Sequence, residues 1–96
     1  MQFEWDNKKA VANLKKHNVS FAEAETVFGD LSAKMFYDDE HSDNEIREII
    51  VGYSIENRLL AVCFTERENG ITRIITARNV TNFERKDYEE NERRQL

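Results

Sequence analysis

The chain has 96 residues, 40% hydrophobic and 34% charged, with a formal net charge of −5. It is long enough for one domain on one core, too apolar and too regularly patterned for a disordered segment, and too acidic overall for a protein that coats duplex nucleic acid. One cysteine rules out an internal disulfide, no apolar run approaches the ~20 residues of a bilayer span, and no leader opens the chain, so a cytoplasmic protein without membrane contact is expected.

Phe3-Glu4-Trp5 reads as a short extended start, with Asp6 as the N-cap of a helix from Asn7 to His17. In that helix Ala10, Val11 and Leu14 share an arc ~100° wide, the expected core side, and Lys8, Lys9, Lys15 and Lys16 cluster roughly opposite. Asn18 is a left-handed stop residue. Ser20-Phe21-Ala22-Glu23 fits a capping box, with Val19 and Ala24 as its hydrophobic staple. Phe21, Ala24, Val27 and Phe28 give this second helix its apolar stripe, and Gly29-Asp30 ends it. The strands follow: Ser32 to Tyr37, an acidic hairpin loop from Asp38 to Asn44, Ile46 through Ile55, and a tight turn at Glu56-Asn57. Leu59 to Thr65 is apolar on both faces, as a central strand is, and Asn69-Gly70 is a hairpin signal leading into a strand from Ile71 to Asn79. Thr81-Asn82-Phe83-Glu84 is a second capping box, opening a polar helix to about Arg94 that Glu89 with Arg93 and Glu90 with Arg94 support. The expected order is (β)ααββββα, an α+β domain over residues 1–96 whose antiparallel sheet is packed by helices.

Chemistry concentrates where the last strand passes into the last helix. Arg73, Arg78 and Arg85 gather there with Tyr88, although the chain as a whole is acidic. Arginine keeps its charge at any working pH, and its planar fork matches phosphate oxygens, so the corner is a candidate anion site. Strict alternation puts Arg73 and Arg78, five residues apart, on opposite sheet faces; a bulge near the strand end would re-aim Arg78.

The motifs come in a recognisable order. Phe3-Glu4-Trp5-Asp6 leads into Asn13-Leu14-Lys15-Lys16-His17, then Val19-Ser20-Phe21 with Ala24, and Val27-Phe28 with Asp30. His41-Ser42, Glu45 with Arg47, Ile50-Val51-Gly52-Tyr53-Ser54, Thr65-Glu66-Arg67, Arg73 to Arg78, and Glu84-Arg85 with Tyr88 complete the set. No one motif is specific, but together, from Phe3 to Tyr88, the chain resembles the BrnT family of toxins from type II toxin–antitoxin modules. The resemblance implies a RelE-like fold, a ribonuclease activity that inhibits translation, and neutralisation by a BrnA-type antitoxin. It also implies that promoter DNA is bound only through the antitoxin complex.

Metal-free RNA cleavage needs groups to move protons at the 2′- and 5′-oxygens and cations for the charge on phosphorus. His17 and Glu66 are the candidates for proton transfer, and Arg73, Arg78 and Arg85 for the phosphate. A helix-end histidine also serves as a C-terminal cap, and each arginine has a bland reading as an ion pair with Glu66, Glu84 or the acidic loop. Lys8, Lys9, Lys15 and Lys16 would follow an RNA backbone or form an ordinary solvated face, and Tyr88 would stack a base or dock the last helix. The loop from Asp38 to Asp43 around His41 fits no strong metal-ligand spacing, and Cys63, amid apolar residues, reads as packing, so neither a metal nor a cofactor is expected. The rival to an enzyme is a catalytically silent module that binds an antitoxin and co-represses transcription.

Overall fold

A computed structural model describes residues 1–38 and 45–94, without the side chains of 91–94. Its elements run β1 (Gln2–Glu4), α1 (Asn7–His17), α2 (Phe21–Thr26) with a 3-10 turn at Val27–Gly29, β2 (Lys34–Tyr37), β3 (Glu48–Tyr53), β4 (Leu59–Glu66), β5 (Ile71–Asn79) and α3 (Asn82–Arg94). The strands form one five-stranded sheet in the order β1-β5-β4-β3-β2. The expectation of an antiparallel sheet needs one correction. β1 lies parallel to β5, with Glu4 beside Arg73, because α1 and α2 carry the chain across the sheet before the antiparallel strands begin. The acidic loop beyond Asp38 and the side-chain pairs of Arg93 and Arg94 lie outside the described residues.

Helix boundaries follow their caps. The Asp6 side chain accepts from the N–H groups of Lys8 and Lys9, and Asn18 ends α1 at φ 57° with its N–H bonded to the Leu14 carbonyl. Asn69 and Gly70, at φ 67° and 74°, make the tight turn into β5. The inner face of the sheet carries the core: Ile50, Leu60, Val62, Phe64, Ile74 and Ala77 pack with Val19, Phe21, Ala24 and Val27. Phe28 bridges Phe3 and Phe64 edge-on at 5.0 Å each, and Trp5 meets Phe21 at 5.9 Å. Gly52 is required here: a Cβ would stand 2.9 Å from that of Ala33.

Of the expected apolar arc of α1, only Ala10 packs against the core. Val11 and Leu14 are exposed, and the helix instead turns Asn13 inward. The Asn13 amide donates to the carbonyls of Val19 at 2.9 Å and Ala77 at 2.8 Å and accepts from the Ala77 N–H at 3.1 Å. β1 pairs only with residues 71–73, so β5 beyond them is a sheet edge, and Asn13 completes its ladder at Ala77. Asn13→Leu keeps similar bulk but orphans these backbone groups at ~1–3 kcal/mol each when buried. A loss of about 3 kcal/mol in urea unfolding is expected; an unchanged midpoint would show that water replaces the amide at no cost.

Candidate functional site

Among the described residues the outer face of the sheet is crossed at one end, by α3, and it collects the arginines. Phe64 pairs with Ile74 while Cys63 pairs with Thr76, so Ile75 is an extra residue in β5, a bulge. This shifts the alternation by one. Arg73 opposite Thr65 and Arg78 opposite Ala61 therefore point to the same face, although they are five apart in sequence. Their partners lie four residues apart on β4, so the two backbones are separated by about 13 Å.

Arg78 stands at the end of a cleft of about 330 Å³ lined by Asp38, Arg47, Ile49, Ala61, Cys63, Ile75 and Thr76. Its Nη1 and Nη2 donate to the two oxygens of Glu84 at 2.8 and 2.9 Å. Glu84 is placed by a complete capping box: Thr81 N–H donates to Glu84 Oε1 at 2.8 Å, and Glu84 N–H to Thr81 Oγ1 at 3.1 Å. The Arg78 guanidinium, above all, holds the Glu84 carboxyl at a pKa of about 2, so it is ionised at any working pH, and Glu84 in turn raises that of Arg78. Burial, and then Asp38, pushes the Cys63 thiol to about 11; it is no nucleophile near neutrality. Arg47, which sequence reasoning passed over, shares this cleft. Its only signal was its place in the Glu45-x-Arg47 motif.

His17 lies across the β5 edge from the arginines. With Lys9, Lys16, Ala12 and Asn13 it lines a shallow depression of about 260 Å³, and Ile75 and Thr76 line both this depression and the Arg78 cleft. The bulged edge is thus a crest between an imidazole with two lysines and an arginine face. Lys8 and Lys15 are also exposed on α1.

Other expected members are elsewhere. Glu66 accepts from Thr72 Oγ1 at 3.2 Å on the inner side of β4, five residues from the partner of Arg78, or about 17 Å along the strand. It belongs to an acidic depression with Glu4, Glu45 and Glu68, so the structure does not join it to Arg78. Arg73 is ion-paired with Glu4, which also faces Arg67 at 3.8 Å. Arg85 reaches Tyr53 Oη at 3.5 Å. Tyr88 is buried, its hydroxyl donating to the Ser32 carbonyl at 3.0 Å and its ring edge-on to Tyr53 at 6.2 Å. A ring so placed docks α3 and has no face to offer a base. Among the described residues no group of three His, Cys, Asp or Glu converges as metal ligands, and no helix is long and apolar enough to cross a membrane.

This five-stranded mixed sheet with three helices matches a solved structure, the 1.1 Å crystal structure of the Brucella abortus ribonuclease toxin BrnT. The TM-score is 0.67 at 26% identity, covering 85% of this chain and 99% of that one. No curated protein sequence matches. The class defined by this fold is that of small α+β toxins from two-gene modules. The family described as "Ribonuclease toxin, BrnT, of type II toxin-antitoxin system" matches residues 5–84, and the chain belongs to it. Membership implies an antitoxin partner.

Proposed function

We propose that the chain is an endoribonuclease that cleaves RNA without a metal, inhibits translation, and is neutralised by a BrnA-type antitoxin. The carrying observation is the bulge at Ile75, which turns Arg78 to the same face as Arg73 and puts it across one crest from His17. Single-stranded RNA laid over that crest meets Lys9 and Lys16 on one side and Arg47 and Arg78 on the other. The lysines hold the backbone, the arginines carry the charge gathering on phosphorus, His17 takes the proton of the attacking 2′-OH, and the departing 5′-oxygen takes a proton from water. The products are a 2′,3′-cyclic or 3′-phosphate and a 5′-OH end. Glu84 holds the Arg78 fork over the cleft, and a phosphate competes with its carboxylate for the same donors. Glu66 has no part in this arrangement. The fold on this reading is RelE-like, as the resemblance implies, and promoter DNA is reached only through the antitoxin, which covers the arginine face.

The purified chain is expected to cleave single-stranded RNA in excess chelator at nearly its usual rate, because guanidinium groups supply the cation. Loss of cleavage that magnesium or zinc restores would sink the metal-free reading. Absence of cleavage under every condition, with antitoxin binding intact, would leave the silent co-repressor module as the answer.

A further inference from the structure

The geometry points to Asn13 as a positioning residue for RNA cleavage: its carboxamide locks the bulge at Ile75 and so aims Arg78. This rests on the ribonuclease reading, and it gives Asn13 a task beyond closing the ladder. The backbone register carries the inference. Arg67 N–H donates to the Ile71 carbonyl at 2.7 Å at the start of the β4–β5 pairing, and Val80 N–H donates to the Leu59 carbonyl at 3.2 Å at its end. Between those points, bonded and non-bonded pairs alternate. Counted forward from Ile71 without a bulge, Ile74, Thr76 and Arg78 would turn their backbone groups to the sheet edge. Arg78 would then send its side chain to the inner face, with Ile74. Counted back from Val80, Arg78 and Thr76 bond to β4, and Ala77 and Asn79 turn outward. The two counts differ by one residue, and the bulge between Ile74 and Thr76 absorbs it.

Asn13 fits the second count alone. Its Nδ2 donates to the Ala77 carbonyl at 2.8 Å and its Oδ1 accepts from the Ala77 N–H at 3.1 Å, so one side chain takes both outward groups of one residue. In an unbulged strand those groups would point into the β4 ladder, out of its reach. The Ala77 side chain is accordingly in the core, and Arg78, the next residue, lines the outer cleft. A third bond, from Asn13 Nδ2 to the Val19 carbonyl at 2.9 Å, holds the carboxamide itself in place. With Asn13 removed, nothing at this edge distinguishes the bulged register from its neighbour. A slip of one residue exchanges the faces of Ala77 and Arg78. Burying a guanidinium opposes a complete slip, so the expected result is a strand end on which Arg78 no longer holds one direction. Asp6 and Asn18 cap α1 independently of the clamp, so His17 keeps its helix.

The test uses purified Asn13→Leu, with Asn13→Ser as the second variant should the bulkier side chain prevent folding. Under conditions where melting shows each variant folded, kcat on single-stranded RNA should fall by about 10²-fold, the cost of misplacing a reacting group by about an ångström. KM should change far less, because Lys9 and Lys16 still hold the strand. Phe28→Leu thins the aromatic core without touching the clamp and should cleave at the parent rate per folded molecule. A double variant separates positioning from mere stability. Loss of folded protein multiplies with any other defect, whereas a residue that acts through Arg78 has nothing left to aim once Arg78 is gone. Asn13→Leu added to Arg78→Ala should therefore slow cleavage by no more than about twofold beyond Arg78→Ala alone. Folded Asn13 variants that cleave at the parent rate overturn the proposal. So does a full penalty of about 10²-fold in the Arg78→Ala background, which would make Asn13 a purely structural residue. A parent chain that cleaves no RNA under any condition removes the ribonuclease reading and this proposal with it, and that failure shows in the parent before any variant is compared.

Discussion

Arg78→Ala is expected to slow RNA cleavage by the purified chain by about 10²–10³-fold, the usual cost of removing one preorganised donor to a developing oxyanion. Growth arrest on induction of the chain alone should be lifted to the same degree. The substitution also frees Glu84 from its bidentate pair, so thermal melting must first show that the variant is folded. Arg85→Ala is the matched control: Arg85 is engaged with Tyr53, and its loss should cost cleavage far less than that of Arg78. Full cleavage by a folded Arg78→Ala protein would remove the arginine face from the mechanism and require a new site.

The second large effect concerns stability. Glu23 is a buried carboxylate at the start of α2, with its side chain 5% exposed. It accepts from Arg58 Nε at 2.9 Å, from Arg58 Nη2, and from the Ser54 hydroxyl at 2.6 Å, while Arg58 Nη2 also donates to the Asn18 carbonyl at 3.0 Å. One guanidinium thus ties the start of β4 to the end of α1 and the first turn of α2. The Arg58 hydrogen bond is the largest cause that lowers the Glu23 carboxyl from 4.5 to about 2, and burial opposes it. A carboxyl depressed on folding contributes stability that is complete above the unfolded value and lost as pH falls through the folded one. This pair should therefore supply about 3 kcal/mol at neutrality, draining away between about pH 4.5 and 2. Arg58→Ala leaves the charge buried and unpaired and should cost about 3 kcal/mol, the low end for such breaks because the arginine is itself partly exposed. Its carboxyl then titrates upward, so the variant should lose less stability than the parent on acidification. Urea unfolding at pH 7 and pH 3 measures both; parallel losses in the two proteins would exclude Glu23 as the acid-sensitive group.

Much of the backbone was legible because it is written locally. Asp6, Asn18, Ser20, Thr81 with Glu84, and Asn69-Gly70 all act within a few residues of themselves, and each stands where its chemistry placed it. What failed depended on partners distant in sequence. Glu23 looked like the returning half of a capping box, and Ser20 does accept its N–H at 3.0 Å, but its carboxylate is drawn to Arg58. Val11 and Leu14 made the better apolar arc, yet an unfilled ladder at Ala77 takes Asn13 inward, since hydrogen bonding at a sheet edge outweighs the burial of two side chains. A bulge was expected near the strand end to re-aim Arg78; it lies at Ile75, in mid-strand, and it decides that Arg73 and Arg78 share a face. Glu66 seemed near the corner only because its strand precedes the right hairpin.

The amide that closes the ladder at Ala77 also limits how the molecule can aggregate. A sheet with two naked edges is a monomer for a polymer: each added copy presents a fresh edge, and growth has no natural end. Here one flank is a three-residue strand followed by a stretch sealed from within by Asn13, so among the described residues the open row of backbone groups is that of β2 on the other flank. Loss of Asn13 would do more than loosen a helix. It would reopen the second flank and leave the sheet with two edges open to pairing.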